Sequence, residues 1–493
     1  MFLGIDLGTS EVKLLLLDGQ GLTVGSAGAS LPLERAQPLW AEQSPQDWWA
    51  ATELAVSELR RKHPAEFARV RGIGLSGQMH GAVLLDAADR VLRPAILWND
   101  GRSHAECAEL TAAAPQLHAV AGNLAMPGFT APKLLWVRTH EPALFAQLRT
   151  VLLPKDYLRL QLSGDKVSDP SDASGTLWLD VSRRDWSDEL LAACHLSRAQ
   201  MPRLVESSAV SACLKPELVR AWGLQHSEVV IAGGAGDNAA SAIGIGAVSP
   251  GDGFISLGTS GVVFLVNDRY RPNPASAVHA FCHAVPQRWH QMSVMLSAAS
   301  CLKWFVRLCG AADEASLLQE VAALSPEQLA TAPIFLPYLS GERTPHNDPF
   351  AQGMFADLTP ASDRALCAYA VLEGVAFGLA DGLAALQSTG AVVHELSLLG
   401  GGARSELWAQ LIADTLSCAI LTHAGGEAGA ALGAARLGWL AAGGDPDLVC
   451  GKPAVAKRFE PRPAQQALLQ RRLQRFKALY TSTRHLPHMS AQV

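Results

Sequence analysis

The sequence predicts an α/β protein built as two similar halves, and three observations carry that expectation. Short apolar, β-prone runs alternate with stretches of helical periodicity, which implies parallel sheet with covered faces. The tetrapeptide Leu-Gly-Thr-Ser stands at 7–10 and again at 257–260, each time between two apolar runs. The chain has 493 residues, 49% hydrophobic and 17% charged, which is material for sizeable cores without the polar bias of disorder.

The elements follow in order. Runs at 2–5, 12–18 and 21–25 read as a β-meander whose first turn is Gly8-Thr9-Ser10. Ser44-Pro45-Gln46-Asp47 reads as a capping box with proline at the first helical position, and Trp48, Ala51, Ala55, Val56 and Leu59 then share one helix face. Strands are expected at 72–76, 82–86 and 91–98. The second half repeats the order, with strands at 254–257 and 262–266 around the second turn. A strand at 395–399, the turn 400–405, a helix at 406–416, a strand at 419–422 and helices at 428–442 and 464–479 complete it. Val248-Ser249-Pro250-Gly251 suggests a boundary, giving domains 1–247 and 248–493.

Composition excludes several function classes. Net charge is −6 without long runs of either sign, so neither nucleic acid nor a membrane surface is an expected partner. The N-terminus MFLGIDLG lacks a charged leader, and Asp6 interrupts its apolar run. The longest apolar stretch, 367–386, contains Glu373 and Asp381 and reads as a buried helix. Nine cysteines with no CxxC pair suit a reduced, cytoplasmic protein.

Glycine clusters carry the chemistry. A Gly-Thr-Ser turn leaves backbone N–H groups bare and adds two hydroxyls, which suits phosphate oxygens, although an ordinary hairpin has the same look. Two such turns, at Gly8, Thr9, Ser10 and at Gly258, Thr259, Ser260, suggest a clamp on one polyphosphate. Only the first is preceded by an acid, Asp6, where the second has Ser256, and a single carboxylate is enough for hydrated Mg²⁺. At 229–244 an apolar strand runs into Gly233-Gly234-Ala235-Gly236 and then Asp237-Asn238, which reads either as a helix cap or as a base bared by small neighbours. Gly400, Gly401 and Gly402 would let a flat group lie on the backbone, or simply allow tight strand–helix packing. The GxGxxG at 72–77 lies inside a strand and continues into another strand, so dinucleotide binding is not expected there. His279, Cys282, His283 and His290 match no standard zinc spacing and read as a core cluster.

Taken together, DLGTSEVK (6–13), GGAGDN (233–238), SLGTSG (256–261), SGERTPHNDP (340–349) and LLGGGARS (398–405) resemble the FGGY carbohydrate kinases, in order over essentially the whole chain. That family has the actin-like ATPase fold, two RNase-H-like domains flanking a catalytic cleft. SGQMHG (76–81), ILWNDGR (96–102), MPGFTAPKLLWV (126–137), LLPKDYLRLQLSG (152–164), SDASGTLWLD (171–180) and CHAVPQRWH (282–290) resemble its bacterial xylulose-phosphorylating branch. The resemblance implies ATP as co-substrate, Mg²⁺ as cofactor and D-xylulose as the sugar. It implies Asp237 as base and Asp6 as the metal-linked acid. Met79 and His80 would contact the sugar, with Asp100 and Asn238 nearby. The two Gly-Thr-Ser turns would hold phosphates, and Gly400, Gly401 and Gly402 would back the adenosine. Glu11 departs from the family's small residue, and strand alternation would turn it outward. A kinase for another pentulose or polyol, and a non-catalytic actin-like nucleotide switch, are the alternatives; a homodimer stays open as the assembly.

Overall fold

The first two runs, both largely buried, fold back on each other as a hairpin in a computed structural model, which describes residues 1–423 and 429–485. β1 (Phe2–Leu7) and β2 (Glu11–Leu17) pair antiparallel with Asp6 opposite Lys13, and β3 (Thr23–Ser30) adds the edge. Glu11 is exposed, as alternation predicts. α1 (Pro45–Lys62) buries Trp48, Ala51, Ala55, Val56 and Leu59, with Asp47 in its first turn and Arg60, Arg61 and Lys62 in its last, which favours the helix dipole. The capping box does not form. The backbone carbonyl of Ser44 takes the Asp47 N–H at 3.1 Å, so the Ser44 hydroxyl turns instead to Gln46 Oε1 at 2.9 Å.

β4 (Gly72–Gly77) lies parallel to β1 with Ser76 beside Asp6. The strand expected at 91–98 shrinks to Ala95–Ile96, because Pro94 cannot donate to a ladder and Asp86 folds the preceding chain into a turn by accepting the Ala88 and Arg90 N–H groups. After α2 (Thr130–His140) and α3 (Pro154–Ser163), β5 (Val210–Cys213), β6 (Val230–Ala232) and the short β7 (Ala235–Gly236) complete the sheet. Its order is β5-β6-β4-β1-β2-β3, with β7 beside β4.

α4 (Asp237–Gly244) ends the first half, and the second repeats the hairpin as β8 (Asp252–Leu257) and β9 (Gly261–Asn267). β10 (His279–Cys282) and β11 (Trp289–Met295) extend that edge. α5 (Ala299–Cys309) and α6 (Arg364–Gln387) follow, then β12 (Glu395–Leu399), α7 (Glu406–Leu416) and β13 (Ala419–His423). α8 (Ala430–Ala441), β14 (Val455–Phe459) and α9 (Pro463–Thr483) close the chain. Among the described residues the second sheet runs β10-β11-β9-β8-β12-β13-β14, with β8 parallel to β12 as β1 is to β4. The start expected for α8, at 428, lies outside the described residues.

α6 is long and apolar enough to cross a membrane, yet 89% of its apolar window is buried inside the protein. Its two acids are paired by α9: Glu373 with Arg472 at 2.6 Å, and Asp381 with Lys477 at 2.5 Å. α8 belongs to the second half by sequence but packs on the first sheet, against β1, β4 and α4. Backbone meets backbone there. A Cβ on Gly74 would sit 1.8 Å from the Ala434 carbonyl oxygen, and one on Gly4 2.0 Å from that of Ala431. Gly72 and Gly74 of the GxGxxG stretch are thus explained by a helix lying on a strand.

Candidate active site

Three parallel strands end together. Asp6 on β1 is level with Ser76 on β4, and Ala235 on β7 is level with the same serine. The chain therefore leaves β7 into Asp237 and leaves β4 into Met79-His80 at the edge where β1 runs into its Gly-Thr-Ser turn. Ligands of open α/β sheets gather at such carboxyl ends.

Asp237 begins α4 after Gly236, whose lack of a side chain is needed: a Cβ there would meet Met79 Sδ at 2.8 Å. Oδ1 of Asp237 accepts from the backbone N–H of Asn238 at 2.7 Å and from its side-chain amide at 2.9 Å. Among the described residues no protein donor reaches Oδ2, so one oxygen is anchored and the other is bare. Burial, and then the negative charge of Asp6, push the carboxyl up to about 6, against the pull of the two Asn238 bonds. Asn238 thus orients Asp237.

Asp6 is also raised by burial, offset by the hydrogen bond that Ser76 Oγ donates to Oδ1 at 2.8 Å. The Ala430 carbonyl, at the start of α8, lies 3.2 Å from the same hydroxyl. Among the described residues no group of three or more His, Cys, Asp or Glu side chains could enclose a metal. Two neighbouring carboxyls at an open sheet edge, one with an oxygen free, do fit Mg²⁺, an ion that keeps much of its water and takes one or two carboxylates beside phosphate oxygens.

The two Gly-Thr-Ser turns differ. In both, the N–H groups of the Thr and Ser residues find no protein acceptor among the described residues. The Thr9 hydroxyl, however, accepts from the Trp98 indole at 2.9 Å and donates to Gln78 at 3.2 Å, while the Gln43 amide holds the Thr9 carbonyl at 2.7 Å. Thr259 and Ser260 are exposed, with hydroxyls free of protein partners among the described residues. The second turn rests on α5: Gly258 and Thr259 carbonyls accept from Ala299 and Ala298 at 2.8 and 2.9 Å. Gly400 and Gly402 press on Leu257, the residue before this turn, and Gly400 has φ +88°. A Cβ on Gly401 would meet nothing within 4 Å, so that position is open.

His80 has φ +70°, unusual for a side chain of its size. Its carbonyl accepts from Lys133 Nζ at 2.8 Å and Thr130 Oγ1 at 3.1 Å, and its Nδ1 donates to the Gly175 carbonyl at 2.7 Å. Burial pulls the ring down to about 3, so it is neutral, with Nε2 an acceptor. Met79 is buried beside it. Asp100 is buried and its carboxylate takes four protein donors: the Ala41 N–H at 2.6 Å, the Arg102 N–H and Nε at 2.9 Å each, and Arg102 Nη2 at 2.7 Å. Sequence reasoning missed Ser76, Gln78, Trp98, Lys133 and Gly175 as supports. Gln78 and Ser76 sit inside the quoted SGQMHG, but their partners lie about 70 residues away, which no local pattern reveals. The histidine cluster is aromatic core: Phe264 stacks on His290 at 4.3 Å, and His283 meets His290 edge-on at 5.9 Å.

Residues 1–244 match the N-terminal domain, and residues 253–442 the C-terminal domain, of the FGGY family of carbohydrate kinases. A xylulose kinase of Escherichia coli (strain K12) is 50% identical over 97% of this chain and 98% of its own. One of Bacillus subtilis (strain 168) is 36% identical over 98% of this chain and 97% of its own. A crystal structure described as a xyloylose kinase from Brucella ovis superposes with a TM-score of 0.95 at 52% identity, covering 99% of this chain and all of that one.

Proposed function

This chain belongs to the FGGY family of carbohydrate kinases, and from that premise we propose that it transfers the γ-phosphoryl group of ATP to D-xylulose, giving D-xylulose 5-phosphate and ADP. The observation that carries the chemistry is the bare Oδ2 of Asp237, raised in pKa and anchored through Oδ1.

Phosphoryl transfer asks the protein chiefly for position and charge. Asp237 Oδ2 takes the proton of the 5-hydroxyl as the hydroxyl oxygen bonds to the γ-phosphorus. The bond to the β–γ bridging oxygen breaks, and its electron pair leaves with ADP. A base with a pKa near 6 is mostly ionised at neutral pH yet basic enough to help, which an ordinary carboxylate is less able to do. The bare N–H groups of Thr9, Ser10, Thr259 and Ser260 receive phosphate oxygens, and Gly8 and Gly258 keep the turns narrow. Asp6 would hold Mg²⁺, which would supply neutralisation of phosphate charge. Gly400, Gly401 and Gly402 back the adenosine, Gly401 being the open position. His80 Nε2 accepts a sugar hydroxyl hydrogen beside Met79, while Asn238 and Asp100 hold the base and the Trp98 stretch from behind. The halves 1–247 and 248–493 close on the ligands and exclude water. Nine free cysteines and an ATP-dependent reaction suit the cytoplasm.

The test is a coupled ADP-release assay over D-xylulose, D-ribulose, glycerol and gluconate. D-Xylulose should exceed the others in kcat/KM by about tenfold or more, roughly 1.4 kcal/mol of transition-state discrimination, which a few hydroxyl contacts can supply. Equal or better turnover of any rival removes the xylulose assignment.

A further inference from the structure

Beneath the glycine turn that leads to Asp237 lies a group of charges that the transfer step does not use. Lys155, Asp156 and Arg159 on α3, with Asp169 and Asp172 nearby, are all completely buried. Lys155 Nζ pairs with Asp156 at 2.6 Å, Asp169 at 2.8 Å and Asp172 at 3.3 Å. Two cations thus face three carboxyl groups. Burial above all, with the two neighbouring aspartates, holds the Asp172 carboxyl well above the usual carboxylate range despite Lys155. A buried cluster of this kind is weak evidence for stability, since its desolvation cancels much of its attraction. Its outward hydrogen bonds point to a different use.

Apart from those that Arg159 donates to the Val167 carbonyl and the Ser211 hydroxyl, those bonds converge on 232–236. Arg159 Nη1 donates to the Ala232 carbonyl at 2.6 Å and Nη2 to that of Gly233 at 2.5 Å. Asp169 Oδ2 accepts from Ser171 Oγ at 2.5 Å and Ser207 Oγ at 2.7 Å, and Ser171 Oγ in turn accepts the Gly236 N–H at 3.3 Å. The Ser207 carbonyl takes the Gly234 N–H at 3.0 Å, and that of Ala209 the Gly233 N–H at 2.9 Å. The guanidinium approaches so closely that a Cβ on Gly234 would lie 3.2 Å from Nη2. Every one of these contacts precedes Asp237 by five residues or fewer.

We infer that this buried cluster is the frame that positions Asp237, with Arg159 and the Asp169–Ser171 pair as positioning residues that act through the turn and touch no substrate. The inference rests on Asp237 being the base. A misplacement of about 1 Å at a reacting group can cost about a hundredfold in rate, so a frame this rigid has a kinetic consequence.

Arg159 and Asp169 variants risk misfolding, so the decisive substitution is Ser171→Ala, which removes only the hydroxyl between Asp169 and the Gly236 N–H. We expect kcat to fall about tenfold or more, with KM for D-xylulose and for ATP within about twofold of the parent. In an Asp237→Asn background the same change should cost almost nothing further, because a frame without its base has nothing to position. A general folding defect would instead lower both backgrounds equally. The inference is overturned if Ser171→Ala keeps kcat within twofold, or if its loss multiplies fully onto that of Asp237→Asn. Asp237→Asn alone separates the two readings: if it keeps full turnover the base assignment itself falls, whereas an inactive Asp237→Asn beside a fully active Ser171→Ala removes only the frame.

Discussion

Replacing Asp237 by asparagine should abolish most turnover and at the same time stabilise the protein at neutral pH. The folded enzyme holds this carboxyl at about 6, against an ordinary value of 3.8. A group whose folded pKa is raised binds more protons in the native state, so stability falls as pH rises from about 4 to about 6 and stays lowered above that. At about 1.4 kcal/mol per unit, two units correspond to about 3 kcal/mol as a ceiling. Asp237 is only partly buried, and solvent screening at its open side reduces this to about 1–2 kcal/mol. Asparagine carries no charge, and its amide oxygen accepts both Asn238 bonds, so nothing else need be lost. The expected outcome is a melting temperature about 2–4 °C above the parent at pH 8, a gain that shrinks as pH is lowered toward 5. Turnover in the same preparation should fall by about 10²–10⁴. Thermal melts across pH, paired with a coupled ADP assay, measure both. An asparagine variant less stable than the parent at pH 8 would refute the pKa argument, and one with near-normal kcat would refute the base.

Asp6→Asn should raise the Mg²⁺ concentration needed for half-maximal rate and also lower kcat, and an unchanged magnesium titration would remove Asp6 from the metal. Gly401→Ala places its methyl in open space, so the fold should be kept while KM for ATP rises several-fold and KM for the sugar does not; unchanged ATP kinetics would argue that no adenosine lies there. Gly74→Ala drives a methyl to 1.8 Å from the Ala434 carbonyl oxygen, which should cost about 3 kcal/mol or more and show as loss of soluble protein or a sharp drop in melting temperature. Small-angle scattering with sugar and a nonhydrolysable nucleotide should report a more compact particle; no change with both ligands would argue against closure.

What the sequence made legible was local. Both Leu-Gly-Thr-Ser turns, the run into Asp237 and the triple glycine at 400 are continuous stretches, and each sits at a strand end as its pattern implies. The partners that shape those stretches were not legible, because they come from far along the chain. Thr9 is held by Gln78 and Trp98, His80 by Gly175 and Lys133, and the turn before Asp237 by Arg159 and Ser171. Local rules also failed where backbone geometry competed with a side chain, as at Ser44, whose carbonyl rather than its hydroxyl takes the Asp47 N–H. The glycines at 72 and 74 carried a nucleotide-like spelling for a reason that concerns α8.

That helix sets a timetable for the nascent chain. Synthesis completes β7 at Gly236, yet the element that lies against β1 and β4 does not emerge until 430–441. Through the whole interval the bare glycine backbone on that face of the first sheet has no cover of its own. Contacts so distant in sequence form slowly, and uncovered sheet in an unfinished chain is prone to wrong pairing. A fragment stopped at residue 423 would contain every residue assigned to the reaction and still lack the piece that finishes its first sheet. The two halves of this kinase are therefore not independent modules: a helix made late in the second half completes the first.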